Sequence, residues 1–93
     1  MALDNTAVLD TFYNDLNGRE RELLSSSIVA VTFHRVTKRI LVCVVETDTG
    51  FESHGISKVR DPKHFERYIG ELYALKHALK YVETLGNNID VRA

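Results

Sequence analysis

The chain has one cysteine, one proline and five glycines in 93 residues, and no excess of either charge. Each scarcity closes off a class of protein. A lone Cys43 within the apolar run Ile40–Val45 has no partner for a disulfide, so a disulfide framework is excluded and a buried, reduced thiol in a cytosolic setting is expected. No stretch approaches the roughly 20 apolar residues of a membrane-spanning helix, and no basic-then-apolar signal pattern opens the chain, so no membrane association is expected. Repeats, low-complexity tracts and linker-like segments are also missing, and residues 1–93 are expected to form one domain. Net charge is −1, which argues against a strongly electrostatic nucleic-acid binder.

What is present is 44% hydrophobic and 27% charged residues, an ordinary balance for a globular domain. Val8, Leu9, Phe12, Leu16 and Leu23 fall on one face at helical spacing, predicting a first helix over residues 6–24 capped by Asp4 or Asn5. Asn17-Gly18 is the point where that helix kinks or restarts. Strands are predicted over 28–36, 39–47 and 51–59. Val29, Val31 and Phe33 share the buried face of the first, opposite Thr32 and His34, and the second reads as a central strand. Asp48-Thr49-Gly50 is the clearest turn. Asp61 and Pro62 open a long second helix that Gly86 ends, leaving Ile89-Asp90-Val91 as a short strand or loose tail. The class is therefore α+β, in the order α-β-β-β-α, with a three-stranded antiparallel sheet and both helices on one face.

The second helix has two distinctive faces. Phe65, Tyr68, Ile69, Leu72, Leu75, Leu79 and Val82 make a wide apolar stripe expected to face the core. Gly70, Ala74 and Ala78 recur at every fourth residue elsewhere, flanked by Tyr73, His77 and Tyr81. Small residues allow close approach of another backbone and tyrosines favour interfaces. These six residues are the candidate partner or oligomer surface, with packing beneath the first helix as the alternative, and a homo-oligomer is expected.

The order of elements resembles the double-stranded-RNA-binding-domain fold. The second half is similar to small bacteriophage and mobile-element proteins of that general fold, through Gly55, Ser57, Lys58, Asp61, Pro62, Phe65, Gly70, Ala74, Leu75, Ala78 and Leu79. About a quarter of the chain carries the pattern, and its positions are mainly structural. The resemblance implies a non-enzymatic accessory protein that binds and modulates a host macromolecule in the host cytoplasm, of the host-takeover, anti-defence or inhibitor kind. The GPxH loop and KKxAK cluster of RNA-binding members are replaced by Thr37-Lys38 and by Lys63-His64-Phe65-Glu66-Arg67. A second stretch, GELYALKHALKYVETLGNNIDV, resembles the central helix and following strand of ribonuclease H, which would make Glu71 a metal ligand. Phe33-His34-Arg35 stands where that family requires Asp followed by Gly, so an active nuclease is not expected.

Two basic turns offer a second function. Arg35, Lys38 and Arg39 surround one, and Lys58, Arg60, Lys63, His64 and Arg67 the other, a candidate anion or weak nucleic-acid contact. A third possibility is sequestration of an anionic nucleotide signal at a subunit interface. His34, His54, His64 and His77 lack metal-ligand spacing, and no nucleophile motif or phosphate loop is found. No cofactor, metal or catalytic residue is predicted.

Overall fold

The computed structural model describes residues 2–3, 5–61, 63 and 66–83. In chain order these form β1 (Ala2–Leu3), α1 (Asn5–Phe12), a 3₁₀ turn (Tyr13–Asp15), α2 (Gly18–Ser26), β2 (Ile28–Arg35), β3 (Ile40–Thr47), β4 (Glu52–Lys58) and α3 (Arg67–Tyr81). The strands run antiparallel in the order β1-β2-β3-β4, so the expected three-stranded sheet carries one extra two-residue strand beside β2. Two residues leave no periodicity for a sequence pattern to register. The architecture is α+β, with helices on one face of the sheet, as the spacing predicts.

The core forms where the helices meet that face. Val8, Phe12, Leu16, Leu23 and Leu24 come from the first helical segment, Val31, Phe33, Leu41, Cys43 and Val45 from the sheet, and Ala74, Leu75, Ala78 and Leu79 from α3. Burying a side chain such as Leu75 contributes roughly 1.5–3 kcal/mol. The predicted first helix breaks in two because Asn17 caps a new one. Its side chain accepts the Glu20 N–H at 2.8 Å while Glu20 accepts the Asn17 N–H at 2.8 Å. The Asn5 side-chain NH2, at the start of α1, donates to the Leu24 carbonyl at 2.8 Å, closing α1 onto α2. Asp4 lies outside the described residues.

Three further expectations are corrected. Val29 is 51% exposed, because an irregularity between Ile28 and Ala30 inserts one extra residue in β2 and turns Ile28 inward in its place. The Asp61 carboxylate accepts the Lys63 N–H at 3.0 Å in a short turn, and α3 starts later, after Glu66. The α3 core stripe holds at Leu75, Leu79 and Val82, with Leu72 partly buried, but is shifted at its edges: Tyr68 and Ile69 are exposed, while Gly70, Ala74 and Ala78 are buried. Pro62, Phe65, the Gly86 stop and the Ile89–Val91 tail lie outside the described residues.

Candidate docking surface

The placement of α3 follows from small residues on both sides of one contact. A methyl group added at Gly55 of β4 would lie 2.1 Å from the Ala74 carbonyl oxygen and 2.4 Å from the Ala78 nitrogen. Only a glycine lets the helix backbone come this near. Beside it, the buried Ser53 hydroxyl donates to the Ala78 carbonyl at 2.9 Å. Ala74 and Ala78 therefore serve the contact with β4. The sequence pattern places them at a subunit or partner interface, or beneath the first helix; neither holds, because the sheet already covers them.

A second side of α3 meets the α1–α2 segment. Tyr68 stacks on Phe12 with ring centroids 5.0 Å apart, and its hydroxyl donates to Asp15. That hydrogen bond raises the Tyr68 pKa above the usual phenol value, with desolvation and the Asp15 charge adding to it. Lys76 reaches Glu20 at 2.8 Å, on the same oxygen that holds the Asn17 amide, and Arg19 approaches Glu83 at 3.6 Å. Glu20 thus joins the cap of α2 to α3.

The third side is left to solvent. Ile69 is 44%, Tyr73 54% and Tyr81 49% exposed, and His77 and Lys80 lie between the tyrosines. From β4, the exposed Ile56 and His54 continue this surface. Together, His54, Gly55, Ile56, His77, Lys80 and Tyr81 line a cavity of about 390 Å³ along the border of helix and strand. His77 Nδ1 is 2.9 Å from the Ile56 carbonyl oxygen. A carbonyl only accepts, so Nδ1 carries the proton. Of the six residues expected at an interface, the structure brings Tyr73, His77 and Tyr81 together on the outside. Ile69, Ile56, His54 and Lys80 join them. Helical spacing alone assigns Ile69 to the core, and the strand residues become neighbours of α3 only through the fold.

The basic turns meet at one end of the sheet. Ile40 pairs with Lys58, and the Val59 N–H donates to the Arg39 carbonyl at 2.9 Å, so Arg35, Lys38, Arg39, Lys58 and Arg60 share that end. Arg35 also donates to the Lys38 carbonyl at 3.0 Å, within its own turn. Exposed Lys63 follows shortly after in the chain. Arg67 instead pairs with Glu71 at 3.2 Å, and His64 lies outside the described residues.

Among the described residues no group of three or more His, Cys, Asp or Glu side chains is placed to hold a metal ion. Phe33, at the strand position where the nuclease resemblance requires Asp, is a buried ring 6.2 Å from that of Phe12. Cys43 is fully buried; desolvation, with a smaller contribution from the Glu71 charge, pushes its thiol up to about 12. A thiol held neutral in this way is a poor nucleophile. No protein-family model, curated protein or solved structure matches the chain.

Proposed function

We propose that this chain is a non-enzymatic binding protein that docks on another protein through the outer border of α3 and β4 and thereby modulates it. This is the mode of action implied by the resemblance to small phage accessory proteins. The observation that carries the reading is the exposed row Ile69, Tyr73 and Tyr81, continuous with Ile56, on a helix whose other sides are engaged by the sheet and by α1–α2. Large aromatic side chains on a face with no packing role are the composition of a protein contact. The chain, immobilised in a bacterial lysate, is expected to retain one protein at fixed stoichiometry. Tyr73→Ser/Tyr81→Ser should lose it, while Lys38→Glu/Arg39→Glu should keep it.

One observation favours a second reading: both basic turns converge on the same end of the sheet. Such an end would contact phosphates weakly and without sequence preference, since Asp61 and Glu66 lie among the cations. Co-purified nucleic acid, released by salt and lost in Lys38→Glu/Arg39→Glu but not in the tyrosine variant, is the outcome that would replace docking on protein with this reading.

A further inference from the structure

The hydrogen-bond register of β4 shows which backbone groups lie at its outer edge. Thr47 N–H donates to the Phe51 carbonyl at 2.8 Å and Val59 N–H to the Arg39 carbonyl at 2.9 Å. In an antiparallel pair such bonded positions alternate along the strand. Hence Ser53, Gly55 and Ser57, opposite Val45, Cys43 and Leu41, bond to β3. Glu52, His54, Ile56 and Lys58 direct their N–H and C=O groups away from the sheet. The His77 bond to the Ile56 carbonyl fits this phase, because only an edge carbonyl is open to it. β4 is last in the strand order, and among the described residues only that one edge carbonyl has a side-chain partner.

We propose that β4 accepts an extended acidic segment of the protein partner as an added strand, lying in the groove between the strand's free edge and α3; this rests on the docking reading above. Edge N–H and C=O groups repeating every second residue, at about 6.7 Å, are a template for another backbone. The cavity lined by His54, Ile56, His77, Lys80 and Tyr81 runs beside that template. A second cavity, lined by Phe51, Glu52, Ser53, His54 and Tyr81, extends it toward the start of β4. Alternate side chains of the added strand would rise toward His77, Lys80 and Tyr81. Lys58 at the end of β4 and Lys80 on α3 stand against the acid Glu52 along this edge, a net positive charge that favours acidic side chains.

A second copy of this chain does not fit the edge. Two β4 strands paired about a two-fold axis would lie about 4.8 Å apart with their helices on the same face. Because α3 rests directly on Gly55, the two helices would be brought well inside the roughly 8–10 Å that packed helices need. His77 acts as a guard on the edge, and an incoming N–H takes its place on the Ile56 carbonyl.

The test uses the full chain, with an acetylated, amidated nonapeptide alternating Glu and Val as probe and its Lys/Val counterpart as control. Binding of the Glu/Val peptide should slow hydrogen exchange at the amides of His54, Ile56 and Lys58. Affinity should fall about tenfold in Ile56→Pro, which removes one edge donor and leaves the β3 ladder intact, and about tenfold for the Lys/Val peptide. His77→Ala should bind severalfold tighter. Lys80→Glu, a surface change, provides the same loss if Ile56→Pro fails to fold. No binding up to about 1 mM, equal binding of both peptides, or binding without protection of those three amides overturns the proposal. If that happens while Tyr73→Ser/Tyr81→Ser still sheds the lysate partner, docking stands and strand addition falls. Edge protection with the partner unaffected by the tyrosine changes means that strand addition stands and docking through the tyrosines falls.

Discussion

The inner and outer sides of α3 are made of opposite materials. The inner side, Gly70, Ala74 and Ala78 beside Leu75 and Leu79, is small wherever the helix crosses Gly55 and Ser53, and each of these residues is buried. The outer side carries Ile69, Tyr73, His77 and Tyr81, with much of their bulk in water. Apolar size is therefore a poor guide to burial on this helix, and closeness of approach is the better one. Ala74 and Ala78, which look like an invitation to a partner, hold the fold, and Ile69, which looks like core, stands with Tyr73, His77 and Tyr81 where a partner would meet it.

The contrast is broken most severely from the inside. Gly55→Val places a branched side chain within the Ala74–Ala78 backbone, so α3 must lift from β4. We expect at least about 3 kcal/mol of destabilisation, read as a fall in the urea midpoint with little change in slope. Glu20→Ala comes next. It removes the reciprocal cap of α2 and leaves Lys76 without its partner, at about 1–2 kcal/mol in the same measurement.

Much of this fold is legible in the chain, and the failures have particular causes. The strand-turn-strand order, the break at Asn17 and the core positions Val8, Phe12 and Leu16 follow from periodicity and capping chemistry. Val29 misleads because a bulge changes the phase of a strand without changing its composition. Tyr68 and Ile69 mislead because helical spacing finds a stripe but does not say which stripe faces the sheet. That choice is made by Gly55 and Ser53, residues far along the chain whose smallness matters only once β4 lies under α3. Tyr73, His77 and Tyr81 are visible as a group, whereas His54 and Ile56 join them only through the strand register.

A smaller effect sharpens the account through pH. The Cys43 thiol, whose value rises from 9.0 to about 12, favours the folded state while neutral. Its contribution is fully present below pH 9 and is lost as pH rises toward 12, because the unfolded chain gives up the proton first. Tyr68 acts in the same direction above its ordinary phenol range. Stability should therefore decline with rising alkalinity, and Cys43→Ala should flatten that decline while costing a cavity at neutral pH. The smallest effect belongs to the outer side: Tyr73→Ser should change stability by less than about 0.5 kcal/mol, since more than half of the residue is in water.

Urea unfolding of Ala74→Arg and Tyr73→Arg, side by side, tests the division of α3 most directly. The same charge enters at adjacent positions, one 0% and the other 54% exposed. Ala74→Arg should give no cooperative transition, because an unpaired guanidinium cannot be buried between helix and strand. Tyr73→Arg should unfold at the midpoint of the unmodified chain. A native midpoint for Ala74→Arg, or loss of the transition in Tyr73→Arg, would contradict the account.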